Sequence, residues 1–448
     1  MADFDDEQIQ QFIDNWFHCE ADKQAKTGEK CWELLQKPEH EAAKELAHTP
    51  LLLTFICLVY DRSQNFPDNR SVLYRKALRI LLEEWASEKR ILRDEIYQGL
   101  HTELEELLLS EIAYTGFESD RLFFSQRDIV GQIKTFLASN LNAPQHLDGE
   151  SVLNAIAIQQ GILVERAEDV FSFSHLTLQE YLTAQYIDDH RQIEKLVTEH
   201  LTGKRWKEVF LLVAGLMRGG ADGLLLLMEK EAQKYINTPK LQALLNWAEQ
   251  VTAGSPGDFK PVGKRAVAIA IAIAIANANA NANANANANA YANAYAKAKA
   301  ITNANAIANA IANAIANANA NAYANAYAYA NAYAYAEAIN YSRKLEKLKI
   351  FNDINFTVLI ARLEALRAKV PNDQQPTEVR LAFAKHLQKT LLNAFNLTQE
   401  MIDLSEEEAK ALGDYLYANH LIIQCKQAAV RVSPQTWEAI EARMLLVL

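Results

Sequence analysis

In the stretch FSFSHLTLQEYL, Phe171 to Leu182, apolar and small residues alternate as in a strand and then pass into a helical pattern, with His175 at the join. Two readings stand for that imidazole. It is a partly buried histidine hydrogen-bonded to a nearby backbone group, or it sits just before a helix N-terminus, where free N–H groups and the macrodipole favour an anion and the ring can donate to a phosphate. Pro50, in TPLLLTFICLVY, divides in the same way. A proline fits the first helical position because its missing N–H would have had no partner, so it requires no function. His18, Cys19 and Cys31 offer part of a metal site, but structural zinc needs four ligands, and packing on an amphipathic helix is expected instead. Cys57 reads as a small core residue. Glu83 with Glu84 and Glu105 with Glu106 are neighbours on helices and point apart, so a solvated face is expected rather than an acid–base pair. The sequence has no GxxxxGK[ST] phosphate loop, no GxSxG, no HExxH and no paired CxxC.

The elements that carry these residues are mostly helices. DDEQIQQFIDNWF places Ile9, Phe12, Ile13, Trp16 and Phe17 at helical spacing behind an acidic first turn. A second helix starts at Thr49 and Pro50, and a third, SVLYRKALRILLEEW, turns Val72, Leu73, Ala77, Ile80, Leu81 and Trp85 inward. This helical domain covers 1–94. Over 95–189, helices are followed by two short strands, Ile162 to Glu165 and Val170 to Phe173, the plan of a winged helix with a small β-hairpin wing. The wing feeds a helix whose TLQE start reads as a capping box between Thr177 and Glu180. A helical-hairpin layer fills 190–264, with RWKEVFLLVAGLM, DGLLLLMEKEAQKYI and TPKLQALLNWAEQV as its helices and the flexible RGGADG between the first two.

The segment 265–341 is a low-complexity tract in which Ala alternates with Asn, Ile or Tyr. A period of two also suits a strand, but Ala and Asn form strands poorly, and the tract lacks the Gly and Pro that a sheet's turns would use. Tyr291, Tyr295, Ile307, Ile311, Ile315, Tyr323, Tyr327 and Tyr335 share a register of four, a ridge along a helix, so helix is the expectation. A C-terminal α-helical domain over 342–448 closes the chain, with Ser405 and Glu408 as a capping box and Ser433–Pro434 as a cap-then-proline start. The fold class is therefore mainly α.

Composition limits function. The chain has 448 residues, half of them hydrophobic, enough for two to four domains, and a formal net charge of -11. That balance argues against a general nucleic-acid or anionic-membrane binder, since both need a basic footprint. The candidate recognition helix GESVLNAIAIQQG has no Lys or Arg for phosphate or guanine, so the winged helix is expected to pack rather than to read DNA. Four scattered cysteines and no signal segment point to a reduced, cytoplasmic protein. The longest apolar runs fall short of the roughly 20 residues of a membrane span, so no membrane partner is expected.

ELAHTPLLLTFICLVY, SVLYRKALRILLEEW and FSFSHLTLQEYLTAQYI, in this order and spacing, resemble the part of NACHT-family proteins that follows the ATPase core, closest to the cyanobacterial type. NACHT proteins belong to the STAND class of signalling NTPases. The last helices, from LSEEEAKALGDYLY to the C-terminus, look like the small α-helical domain that ends such proteins. The resemblance covers nearly the whole chain except the Ala/Asn tract. It implies that Pro50 lies against adenine and that His175 contacts the β-phosphate of bound ADP. The family's P-loop, Walker B acid and sensor Arg would lie N-terminal to DFDDEQIQQFIDNWF, so the resemblance implies a NACHT protein without its ATPase core. Such a chain is not an enzyme by itself, and it takes ADP or ATP only with a separately encoded core. The expectation is the regulatory and sensing part of a switch in signalling or antiphage defence, with a protein partner. The alternatives are a non-catalytic helical scaffold for protein partners and, less favoured, a winged-helix DNA binder.

Overall fold

A computed structural model describes the chain except residues 1–3, 38–39, 68, 80–81, 83–99, 141–147, 158–160, 283–331 and 372–374. Ile80, Leu81, Glu83, Glu84, Trp85 and the interior of the Ala/Asn tract lie outside the described residues. The chain divides into two compact units, one made of Met1–Leu196, Lys204–Ala221 and Gln427–Arg431, the other of Val197–Gly203, Asp222–Lys426 and Val432–Leu448. One division falls between Ala221 and Asp222, within RGGADG.

The first unit opens with α1 (Asp6–Trp16), α2 (Glu20–Ala25), α3 (Thr27–Leu35), α4 (Glu41–Ala47), α5 (Pro50–Ser63) and α6 (Arg70–Arg79). Asp5 starts α1 through a reciprocal pair, its carboxylate accepting from the Gln8 amide at 2.8 Å while the Gln8 side chain accepts from the Asp5 amide at 3.0 Å. On α1, Ile9, Ile13 and Phe17 are buried, whereas Phe12 and Trp16 are half-buried and stack on each other at 5.9 Å, at the rim of the apolar face. Thr49 precedes α5 with extended backbone, but its hydroxyl makes no capping bond, so only the Pro50 half of the expected start is realised. On α6 the buried residues are Ser71, Leu73, Tyr74, Ala77 and Leu78; Val72 stays half-exposed at the edge of that face.

The winged helix follows as α7 (Thr102–Glu118), β1 (Phe124–Ser125), α8 (Gln126–Ser139), α9 (Gly149–Ala155), β2 (Leu163–Ala167), β3 (Val170–Phe173) and α10 (Leu176–Asp189). The wing pairs β2 with β3 antiparallel, Leu163 opposite Phe173, with an irregularity between Glu165 and Ala167. β3 matches the expected span, while β2 starts one residue later and runs to Ala167. β1 pairs with the other edge of β3, which makes a three-stranded sheet in the order β1-β3-β2. Two residues are too short to show the alternation by which a strand is read, so β1 was not legible.

Next come α11 (Ile193–His200) and α12 (Lys207–Leu216). α10 packs along α7 and α12 and against α6, which makes it the central element of the first unit. This corrects the solvated face expected for Glu105 and Glu106. Both are buried in α7, and the Glu106 carboxylate accepts from Gln185 Nε2 of α10 at 2.8 Å. With α10 on one side and α8 on another, little of α7's circumference is left for water.

In the second unit, α13 (Asp222–Gln233) and α14 (Pro239–Thr252) are followed by α15 (Pro261–Ala282), α16 (Ala332–Leu348), α17 (Phe356–Arg367), α18 (Thr377–Ala394), α19 (Gln399–Ile402), α20 (Glu406–Ala428) and α21 (Pro434–Arg443). Both described flanks of the Ala-rich tract are helical. On α15, Ala266 to Ile269 are buried without a break, the signature of a helix covered all round. Its first turn is fixed by the buried Arg265, which donates to Glu249 at 2.9 Å and to the Ala442 carbonyl at 3.0 Å. Tyr335, the last member of the ridge of four, is buried on α16 against Phe383, 5.9 Å between ring centres. Ser405 and Glu408 form their reciprocal cap at 2.9 and 3.1 Å, and Ser433 with Pro434 starts α21 as expected.

Candidate functional site

The site develops where β3 hands the chain to α10. Phe171 and Phe173 anchor the strand in the core, and the Ser174 amide donates to the Ile162 carbonyl at 2.8 Å. His175 follows with extended backbone and becomes the N-cap of α10, its half-buried ring Nδ1 accepting from the Thr177 amide at 3.4 Å. The Thr177 hydroxyl lies against the same nitrogen. Leu178, Tyr181 and Leu182 then seat the helix. The capping box expected between Thr177 and Glu180 does not form. The helix begins earlier, at Leu176, so the histidine takes the cap, and Glu180 is drawn into the core.

Beneath this first turn is a partly buried polar cluster that sequence reasoning missed. Arg70 of α6 donates through Nη1 to both Glu208 oxygens of α12, at 2.6 and 2.7 Å. Glu180 of α10 shares their field. Burial first, and then Glu208, push its carboxyl up to about 8, against the pull of Arg70 and Arg205. Arg70 is hydrogen-bonded to Glu208, and Glu180, buried beside that carboxylate, is shifted towards its protonated form. Tyr74, fully buried on α6, adds a phenol raised well above its ordinary value by burial and by Glu208, with Thr177 beside it. The consequence is electrostatic. With its carboxyl raised, Glu180 adds less negative charge near the N-terminus of α10 than an ordinary glutamate would, which favours its positive end.

Pro50 occupies the first position of α5 and is half-buried, its carbonyl accepting from the Thr54 hydroxyl at 3.1 Å. α5 packs on α6, and α6 packs on α10, so Pro50 and His175 stand on helices connected through α6. His18 and Cys19 are exposed and Cys31 is buried, so these three do not share a face; Cys19 caps α2, its sulfur accepting from the Asp22 amide at 3.4 Å. Cys57 is fully buried, as its apolar surroundings suggested. Towards the other end of α10, a cleft of about 440 Å³ is lined by Arg75, Tyr181, Gln185, Asp188, Asp189 and Arg218. Burial raises both aspartates there, and Arg75 opposes the rise at Asp188. In the winged helix, α9 presents no cation, and its cap is the Asp148 carboxylate, accepting from the Glu150 and Ser151 amides at 3.1 Å.

Two protein families match the sequence. Residues 70–187 match the winged helix-turn-helix domain C-terminal to NACHT, and residues 359–447 match NACHT C-terminal helical domain 2. No curated protein matches it. The first match contains α6, the winged helix and nearly all of α10, and the second contains α18 to α21. Among the described residues, no helix is long and apolar enough to cross a membrane. A winged helix and a terminal helical domain of this kind in one chain support a NACHT-associated C-terminal region.

Proposed function

We propose that this region is the regulatory and sensing part of a NACHT-type signalling switch, in which ADP or ATP is held by a separately supplied ATPase core and read by His175. The observation that carries the reading is the placement of His175 at the start of α10, inside the matched winged-helix segment. The positive end of the helix favours a phosphate there, and Glu180, whose carboxyl is raised by burial, opposes it less than an ionised carboxylate would. Pro50 would form a wall against the base. In the closed state the nucleotide bridges core and winged helix, and exchange releases the bridge, so the ligand biases a two-state element. The chain itself performs no catalysis in this scheme, and antiphage defence is the role proposed for the intact switch.

Calorimetry tests this. The chain alone should bind neither ADP nor ATP, and addition of a NACHT ATPase core should give ADP binding that weakens at least tenfold with His175→Asn. Asparagine is a strong N-cap, so this variant keeps the helix start while removing the ring. Unchanged ADP affinity in the His175→Asn mixture, or clear nucleotide binding by the chain alone, would overturn the proposal.

A further inference from the structure

The capping geometry says more about how His175 would meet a phosphate. An amide N–H can only donate, so the contact from the Thr177 amide to Nδ1 requires a lone pair on that nitrogen. A neutral imidazole has one donor and one acceptor nitrogen, so its proton is then on Nε2. A histidine that serves an anion from this position therefore has to do so as the neutral Nε2–H tautomer, because the alternative tautomer would turn a lone pair towards the anion. Thr177 supplies two groups at Nδ1, its amide and its hydroxyl, and the hydroxyl is the one that mutation can remove. The buried Tyr74 backs Thr177 from α6.

We propose that Thr177 is a positioning residue that fixes the His175 tautomer, holding Nδ1 as the acceptor so that Nε2–H is the donor presented to a phosphate oxygen. This assignment rests on the reading of His175 as a phosphate contact, but its test needs no nucleotide. The full chain is labelled with ¹⁵N-histidine, and two-bond ¹H–¹⁵N spectra are recorded at neutral pH, with His175 identified among the ten histidines by the signal lost in His175→Asn. Wild type and Thr177→Ser should both show an unprotonated Nδ1 and a protonated Nε2. Thr177→Val, which keeps the shape and the amide, should shift the ring towards a mixture, the Nε2–H excess falling at least threefold while the thermal midpoint shows that the chain still folds. A protonated Nδ1 in wild type, or the same tautomer ratio in Thr177→Val as in wild type, would overturn the assignment. Failure of the nucleotide titration with the tautomer result intact would remove the phosphate reading and leave Thr177's control of the ring standing.

Discussion

Glu180 and Glu106 show what a single side chain's surroundings do to its chemistry. Both are carboxylic acids on or against α10, yet Glu106 has an amide donor in Gln185, whereas Glu180 competes with Glu208 for the Arg70 guanidinium. The folded-state value of Glu180, about 8, lies above the ordinary carboxyl range near 4.5. Between those values the folded state binds more protons than the unfolded chain, so stability falls as pH rises through that window and levels off above about pH 8. Glu180→Gln cannot titrate and keeps the shape. Its unfolding free energy, measured by denaturant melts, should exceed that of wild type by a margin that grows from pH 5 to pH 8 and is constant above, reaching on the order of a few kcal/mol. A margin that does not change with pH would mean that Glu180 is ionised in the folded state. None of this was legible in LTLQEYL, where the same glutamate read as half of a capping box. The ionisation of Glu180 depends on helices that arrive from more than 20 residues away.

At the scale of elements, the strand-to-helix handover was legible and its stitching was not. β3 fell where alternation placed it, and α10 followed, but the cap came from the histidine instead of the threonine. β1 is held by a side chain more than by its two residues. The Phe124 ring, buried at the end of the sheet, lies over Gly116 of α7, where any Cβ would run into it. In an exposed helix, replacement of Gly by Ala is stabilising by about 1 kcal/mol. Here the ring leaves no space, and Gly116→Ala should lower stability by about 1–3 kcal/mol, measured by denaturant midpoint. A raised midpoint would show that β1 and Phe124 yield to the methyl group. The expected helices at both ends of the Ala/Asn tract did form, because Ala supplies propensity and, on α15, apolar residues two apart fall on opposite sides of a helix that is covered all round.

Across the whole molecule, each unit is closed by pairs far apart in sequence. In the second unit, Arg443 of α21 donates to both oxygens of Glu229 of α13, at 3.0 and 2.6 Å, a fork geometry that joins residues 214 positions apart. Glu229 is mostly buried while Arg443 is partly exposed, so solvent moderates the pair. Arg443→Ala should cost about 1–2 kcal/mol, chiefly by leaving a buried carboxylate without its cation, and adding Glu229→Gln should return part of that loss. Independent, additive losses in denaturant melts would show that the pair contributes nothing as a pair.

The sequence by itself determined the mainly helical class, the wing, the helix starts at Pro50, Ser405 and Ser433, and the position of His175 at a strand–helix join. Each is encoded within a few consecutive residues, through periodicity, proline geometry or capping chemistry. Only the tertiary structure decided that Glu105, Glu106 and Glu180 are buried and that Arg70 pairs with Glu208. Burial and charge pairing depend on which faces meet, and those faces come from segments with no local signal of one another.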